Sequence, residues 1–197
     1  MEKYLIVGLG NIGDEYENTR HNVGFNVADA LASALQKEEE KTKSIKLFSS
    51  DRYAFVNQSR FKGNRITIIK PTTFMNLSGK AVNYWMKEEN IPFKNLLIIT
   101  DDLALPFGTL RMKKKGSDGG HNGLADIIAT FNTSEFARLR FGIGSEFSKG
   151  HQVNYVLGKW NAEEEKLLPE RIEQCVKIVK SFVAIGVDRT MSDFNNK

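Results

Sequence analysis

Short apolar runs separated by polar loops predict an α/β fold. The almost wholly apolar runs at residues 4–9 and 96–100 are typical of buried central strands. After the first run, apolar residues recur at helical spacing from Asn22 onward, and we expect Asn22 to be the N-cap of that helix. Such units favour an open sheet flanked by helices, with ligands bound outside the carboxyl ends of strands.

The segment between the two apolar runs predicts a hairpin followed by a second helix. Strands over residues 53–57 and 65–69 are joined by the turn-forming sequence Lys62-Gly63-Asn64. Pro71 ends the hairpin, because proline has no amide hydrogen to donate to a sheet. Ser78 is suited to cap the helix that follows.

The last third of the chain predicts a long helix. Asn161 stands at the cap position with Glu164 three residues later, as in a capping box, and an apolar stripe extends towards Gly186. Before it, two short strands are predicted, at residues 110–115 and 139–143. A helix between them is predicted from the apolar stripe Leu124, Ile127, Ile128 and Phe131. No repeat or linker divides the chain, so we expect one domain over residues 1–197.

Composition narrows the class of protein. The 197 residues are 41% hydrophobic and 26% charged, close to the globular average. No apolar run approaches the roughly 18 to 20 residues that cross a bilayer, and we expect neither a membrane span nor a signal peptide. Because the single cysteine, Cys175, cannot form an internal disulfide, we expect a cytoplasmic protein in which Cys175 is a core residue. The net charge of +4 mildly favours an anionic partner.

Gly8, Gly10 and Gly13 have the spacing of a dinucleotide-binding motif. That motif requires a helix to begin at the third glycine, so that its amides face the pyrophosphate. Here a polar loop with acidic residues follows instead, over residues 14–21, and negative charge beside a diphosphate is unfavourable. We therefore expect the glycines to permit a tight turn, and a nucleotide-dependent oxidoreductase is a weakly supported alternative.

Sequence motifs for metal or serine chemistry are missing. The three histidines, His21, His121 and His151, have no metal-binding spacing, and one cysteine cannot supply a set of thiolates. The G-x-S-x-G motif of α/β serine hydrolases is also absent. We therefore expect neither a metal nor a cofactor.

A loop histidine, a strand-end aspartate and loop asparagines remain as candidates for chemistry. A carboxylate on one imidazole nitrogen fixes the tautomer and leaves the other nitrogen to activate water. Asparagine offers uncharged donors and acceptors, which suit a peptide backbone or a developing oxyanion. Taken singly, Asn11, Asn76 and Asn122 are as typical of turns and caps, so composition alone leaves their role open.

Seven longer stretches carry a resemblance to a known family. In chain order they are VGLGN at 7–11, TRHNVG at 19–24, KPTTFMNLSG at 70–79, DDL at 101–103, GGHNGL at 119–124, RLRFGIG at 138–144 and YVLG at 155–158. In these stretches the chain resembles bacterial peptidyl-tRNA hydrolase over essentially its whole length. The resemblance implies a monomeric, metal-independent esterase with a twisted mixed sheet, mostly parallel, between helices. It also implies peptidyl-tRNA as the substrate, cleaved at the ester that joins the peptide to the terminal ribose.

The same resemblance assigns roles by position. His21 would be the general base for water, and Asp101 the carboxylate that orients it. Asn11 and Asn76 would contact the peptidyl end, while Asn122 would hold substrate and the attacking water. Met75 would help to shape the same cleft, Tyr16 would lie along its entrance, and Phe74 would also bind substrate. By the family pattern, His121 is structural.

Basic residues on a predicted strand are the candidate tRNA contacts. Alternation along residues 110–115 places Arg111, Lys113 and Lys115 on one face. That face fits a solvated edge strand, protected by lysine, as well as it fits a phosphate-binding surface. The resemblance favours Arg111 and Lys113 as tRNA phosphate contacts, with Arg140 as a further one.

Two features depart from the family or escape interpretation. Ala104 stands where many relatives carry another acid, which leaves the contacts of its loop open, and residues 37–44 indicate no function. An alternative function is a non-catalytic RNA-binding protein, because plant organellar relatives with a similar fold serve in RNA splicing. The presence of His21, Asp101 and the three asparagines together favours the hydrolase.

Overall fold

A seven-stranded sheet forms the centre of the computed structural model, which describes residues 1–38 and 47–195. The strands are β1 Lys3–Gly8, β2 Ser49–Asp51, β3 Ala54–Phe61, β4 Asn64–Pro71, β5 Leu96–Asp102, β6 Leu110–Lys113 and β7 Ala137–Gly142. They lie in the order β2-β3-β4-β1-β5-β7-β6. The central strands β4, β1, β5 and β7 run parallel, and the outer strands pair antiparallel. The expected mixed sheet with a parallel centre is confirmed.

Helices cover both faces of the sheet, as expected. They are α1 Val23–Glu38, α2 Ser78–Glu88, α3 Asn122–Phe131, α4 Gln152–Val156, α5 Ala162–Ile185 and α6 Val187–Phe194. One hydrophobic core lies between the sheet and helices α1, α5 and α6, and a second lies between the sheet and helices α2 and α3. No helix in the described part of the chain is long and apolar enough to span a membrane.

Strand β1 supplies both cores, which explains its unbroken apolar sequence. Tyr4 and Ile6 point into the core beneath α1, whereas Leu5 and Val7 point into the core beneath α2. A strand buried on both faces has no polar positions to alternate with apolar ones. Cys175 of α5 is fully buried in the first core, and this burial raises the pKa of its thiol, so the prediction of a core residue is confirmed.

Several local predictions differ from the structure. Asn22 does not cap α1, because its side chain bonds to the backbone of Asn11. Ser78 is the first residue of α2, and its hydroxyl donates backwards to the carbonyl of Met75. The strand expected at 110–115 ends at Lys113, so Lys115 lies beyond it. Sequence patterns also missed β2, α4 and α6.

The predicted capping box of α5 is confirmed. Asn161 accepts from the backbone N–H of Glu164, whose side chain accepts from the backbone N–H of Asn161. Gly186 ends the helix with a φ of 83°. From the segment 37–44, to which no function was assigned, residues 39–44 lie outside the described part.

A close approach of two glycines places the start of α1 against the end of β1. A Cβ built on Gly8 would lie 2.1 Å from the carbonyl oxygen of Gly24, and one on Gly24 would lie 2.5 Å from the backbone of Leu9. Only glycine fits at this crossing. Since α1 begins at Val23, no α-helix begins at Gly13, and the dinucleotide interpretation of the glycine motif loses its structural basis.

Candidate active site

His21 and Asp101 meet at the carboxyl edge of the sheet. His21 lies in the 3-10 turn Arg20–Asn22, which the glycine crossing holds against β1, and Asp101 lies near the end of β5. Nδ1 of His21 is 3.0 Å from Oδ1 and 3.1 Å from Oδ2 of Asp101. Because a carboxylate only accepts, this geometry assigns the hydrogen to Nδ1 and leaves a lone pair on Nε2 of His21.

His121 contacts the same carboxylate from the other side. Its Nε2 lies 2.9 Å from Oδ1 of Asp101, while its Nδ1 accepts from the backbone N–H groups of Gly123 and Leu124 at 3.1 and 3.3 Å. His121 therefore caps α3 and directs its Nε2–H at Asp101. The cap agrees with the structural role expected for His121, whereas its bond to Asp101 was not foreseen.

Asp101 is a buried carboxylate held ionised by its neighbours. Burial by itself raises the pKa of this carboxyl, but the electrostatic attraction and hydrogen bonds of the N–H groups that His121 and His21 direct at it outweigh burial and bring the pKa well below its usual value. The side chains of His21 and Asp101 are only 11% and 3% exposed. Asp101 thus presents a fixed negative charge to the Nδ1–H of His21.

Asn11 is clamped beside this pair. Its backbone N–H donates to Oδ1 of Asn22 at 2.8 Å, and Nδ2 of Asn22 donates to the backbone carbonyl of Asn11 at 2.9 Å. Oδ1 of Asn11 accepts from the backbone N–H of Met75 at 2.8 Å. Nδ2 of Asn11 has no protein partner among the described residues, so it can donate to a substrate carbonyl.

Met75 links Asn11 to the start of α3. Met75 is buried, and a Cβ built on Gly123 would lie 2.7 Å from its sulfur. This packing places the 3-10 turn Met75–Leu77 beside the first residue of α3, Asn122. Asn76 and Asn122 are both exposed.

A small cavity of about 80 Å³ lies over the histidines. Its lining includes His21, Asp101, His121, Asn122 and Val153. The structure therefore brings His21, Asp101 and Asn122 into one cavity, and joins Asn11 to Met75 by a hydrogen bond. The remaining cleft residues lie on turns: half-buried Tyr16 on Asp14–Tyr16, and Phe74, which is 57% exposed, just before Met75.

A family model for peptidyl-tRNA hydrolase matches residues 5–197. The chain belongs to the peptidyl-tRNA hydrolase family. It is 54% identical over 195 residues to a peptidyl-tRNA hydrolase of Bacteroides fragilis and 53% identical over 195 residues to one of Parabacteroides distasonis, covering 99% of this chain and 100% of each relative. The crystal structure of peptidyl-tRNA hydrolase from Acinetobacter baumannii superposes with a TM-score of 0.87 at 35% identity, covering 98% of this chain and 94% of that one.

Arg20 holds the turn that carries His21 in place in this member of the peptidyl-tRNA hydrolase family. Sequence patterns did not single it out. It is buried, and its Nη2 donates to Oε2 of Glu164 at 2.9 Å. Its guanidinium carbon lies 4.3 Å from the ring centroid of Tyr155, and its backbone N–H donates to Gly158. The turn that carries His21 is thereby fixed to the start of α5. The capping-box pattern predicted the hydrogen bonds of Glu164 to Asn161, but no local pattern indicated that Arg20 also binds Glu164.

The candidate tRNA contacts lie together on the β7–β6 edge. Arg111 is the register partner of Arg140, and Lys113 is the register partner of the buried Arg138. Arg140 also binds Asp102, with Nε 2.5 Å from Oδ2. Arg111 donates to the backbone carbonyl of Asn195. Lys113 is therefore the exposed member, whereas Arg111 and Arg140 are each partly engaged within the protein.

In space, the possible ligand atoms of His21, Asp101 and His121 lie within 4.8 Å of one another, close enough for the three residues to hold a metal ion. In the assigned tautomers, however, the histidine nitrogens that face Asp101 carry hydrogens, and Nδ1 of His121 is bonded to the backbone of α3. A metal ion would have to displace these bonds and break the helix cap. The hydrogen bonds account for the cluster without an ion.

Proposed function

We propose that this chain hydrolyses the ester bond between a peptide and the 3′-terminal ribose of tRNA, and so recycles tRNA from aborted translation. Membership of the peptidyl-tRNA hydrolase family supports the activity. The observation that carries the mechanism is the bond of 3.0 Å between Nδ1 of His21 and Asp101, which directs the lone pair of Nε2 away from the carboxylate.

His21 acts as the general base in the proposed reaction. Nε2 takes a proton from water as the water oxygen attacks the ester carbonyl, and the negative charge of Asp101 stabilises the imidazolium that forms. The bond between the carbonyl carbon and the ribose oxygen then breaks, and the imidazolium returns the proton to that oxygen. The products are a peptide carboxylic acid, which releases its remaining proton to solvent to become a carboxylate, and a tRNA with a free ribose hydroxyl.

The asparagines bind and orient the peptidyl end. Nδ2 of Asn11 donates to a peptide carbonyl, because its Oδ1 is committed to the backbone of Met75. Asn76 makes a further contact with the peptidyl end, and Asn122 holds substrate and the attacking water. Tyr16, Phe74 and Met75 form the walls of this cleft.

Lys113, Arg111 and Arg140 contact tRNA phosphates in the proposed complex. Their common position on the β7–β6 edge supports this role. Lys113 and Arg111 lie on one face of β6, and Arg140, the register partner of Arg111, lies on the same face of β7. Neutralised phosphates release counterions, so binding weakens as salt rises. We further propose that the enzyme acts as a cytoplasmic monomer without a metal or other cofactor.

One experiment separates hydrolysis from RNA binding alone. The protein is incubated with peptidyl-tRNA, and with aminoacyl-tRNA as control, without added metal or nucleotide. We expect release from peptidyl-tRNA alone. Binding without release would favour the non-catalytic RNA-binding protein, which the formed His21–Asp101 pair disfavours.

A further inference from the structure

A shallow groove of about 490 Å³ on the outer face of α2 combines positive charge with aromatic rings. We call it the α2 groove, and its lining includes Arg52, Tyr53, Lys80, Tyr84, Lys87 and one acid, Glu88. Arg52 and Tyr53 belong to the β2–β3 turn, and the others belong to α2. The proposed reaction uses none of these residues.

Two cations of the α2 groove, Arg52 and Lys80, lie on tyrosine rings rather than on carboxylates. The guanidinium carbon of Arg52 is 5.4 Å from the ring centroids of Tyr53 and Tyr84, and Nζ of Lys80 is 4.6 Å from that of Tyr53. Within residues 1–38 and 47–195, Arg52, Lys80 and Lys87 form no ion pair. A hydrogen bond from Arg52 and the charge of Lys80 lower the pKa of the Tyr53 hydroxyl. The groove is therefore ready for an anion.

The turn on one side of the groove is held in a fixed, unusual conformation. Tyr53 has a φ of 62°, a left-handed value that is rare for a bulky side chain. Its carbonyl accepts from the backbone N–H of Thr72 at 2.8 Å, and the carbonyl of Arg52 accepts from Nε1 of Trp85 at 2.9 Å. These bonds fix the turn to α2 and to the segment that leads to Phe74. One wall of the groove is thus held by the fold itself.

Helix α2 connects the α2 groove to the turn that carries Asn76. Helix α2 begins two residues after Asn76, and at a rise of about 1.5 Å per residue Lys80 and Lys87 lie about 6 and 16 Å beyond Asn76. Phe74 and Leu77, which are 57% and 50% exposed, flank Met75 and Asn76 just before α2. The candidate tRNA contacts are at the other side of the sheet, because β3 and β6 are separated by five strand spacings, or about 24 Å.

We propose that the α2 groove binds acidic side chains in the peptidyl part of the substrate. This inference rests on the proposed function, in which tRNA occupies the β7–β6 edge and the peptide passes Asn76. An extended peptide advances about 3.3 Å per residue, so Lys80 and Lys87 reach side chains about two to five residues upstream of the ester-linked residue. Charge complementarity fits any anionic segment, and two features of position favour an acidic peptide over RNA. Helix α2 begins two residues after Asn76, and the groove lies about 24 Å from the β7–β6 edge.

The test uses three peptidyl-tRNAs with one tRNA and one C-terminal residue. Residues two to five upstream of the ester are all Glu, all Gln or all Lys. We expect kcat/KM to be about three- to tenfold higher for Glu than for Gln and lowest for Lys, because each exposed ion pair contributes little. High salt should remove the difference. The double variant Lys80→Gln/Lys87→Gln should lose it, whereas Lys166→Gln/Lys177→Gln, which removes the same charge from exposed positions on α5, should retain it.

A second measurement keeps this proposal distinct from the proposed function. The peptide of the Glu-containing substrate is prepared without tRNA and labelled with a dye. Its affinity, and that of deacylated tRNA, are measured for both double variants. We expect Lys80→Gln/Lys87→Gln to weaken the peptide only. Hydrolysis that is indifferent to upstream charge would overturn the acidic subsite alone, and so would an equal loss of tRNA affinity, which would place RNA in the groove. Failure to cleave any peptidyl-tRNA would instead contradict the proposed function.

Discussion

Arg20 and Glu164 form a buried ion pair that joins the turn bearing His21 to the cap of α5. Nη2 of Arg20 is 2.9 Å from Oε2 of Glu164, and each side chain is 10% exposed. The same Glu164 oxygen accepts from the backbone N–H of Asn161. The position of His21, the proposed general base, therefore depends on a contact between residues 144 positions apart in sequence.

Removing one partner of this pair should lower both stability and turnover. Glu164→Gln leaves the buried charge of Arg20 unpaired, at a cost of about 3 kcal/mol, or a fall in melting temperature of about 6–12 °C. Calorimetry and kcat at a permissive temperature measure the two effects. Lys94→Gln, which breaks the exposed pair with Glu2, should change stability by less than about 1 kcal/mol. Equal effects of the two variants would contradict the role given to Arg20.

Asp101→Asn should reduce kcat with KM nearly unchanged. The substitution keeps the shape but removes the charge that stabilises the imidazolium, and an amide does not fix the tautomer of His21 as a carboxylate does. We expect a loss of roughly 10- to 10³-fold in kcat. Steady-state kinetics from pH 5 to 8 measure it. A variant that runs at the parent rate over this range would exclude Asp101 from the mechanism.

Asp101 should also shape the acid stability of the protein. Its folded pKa lies below the ordinary value of about 3.9. A carboxyl with a depressed folded pKa contributes stability that is present above its unfolded pKa and is lost as pH falls towards the folded pKa. Below about pH 4, the parent should therefore lose more unfolding free energy than Asp101→Asn does. Denaturation curves at pH 7 and pH 3 measure this loss. An equal loss of unfolding free energy in the two proteins would contradict the prediction.

Arg111 and Lys113 should respond differently to replacement by alanine. Both should raise KM for peptidyl-tRNA and flatten the salt dependence, with a log-log slope that changes by about 0.7 to 0.9 per phosphate contact. Only Arg111→Ala should also lower the melting temperature, because Arg111 binds the backbone of Asn195. A minimal peptidyl ester without tRNA should be cleaved as by the parent. An equal loss on both substrates would mean that the strand supports the fold and does not bind RNA.

Local sequence patterns predicted what depends on neighbours in sequence. The unbroken apolar run of β1 and the capping box of Asn161 and Glu164 are both present, because burial on two faces and cap hydrogen bonds leave a local signature. Asn22 shows the limit of such patterns. Its amide could equally serve a helix N-terminus, but the crossing of Gly8 and Gly24 brings it to the backbone of Asn11 instead.

The site itself required both the resemblance and the coordinates. The resemblance named His21, Asp101 and the asparagines, whose roles remain predictions. The bond from His121 to Asp101 and the pairing of Arg111 with Asn195 join residues 20 and 84 positions apart, and no spacing rule predicts either. The α2 groove likewise arises because a turn and a helix, distant in sequence, pack together.

The most direct test of the account is turnover of peptidyl-tRNA by His21→Ala, measured with its affinity for deacylated tRNA and with a chelator present. General-base assistance contributes about 10²- to 10⁴-fold, and one imidazole supplies little of the contact with tRNA. We therefore predict that the variant loses most of its turnover, by about that factor, while tRNA affinity stays within a few-fold and the parent is indifferent to the chelator. Near-normal turnover by His21→Ala, or a parent enzyme silenced by chelation, would contradict the mechanism.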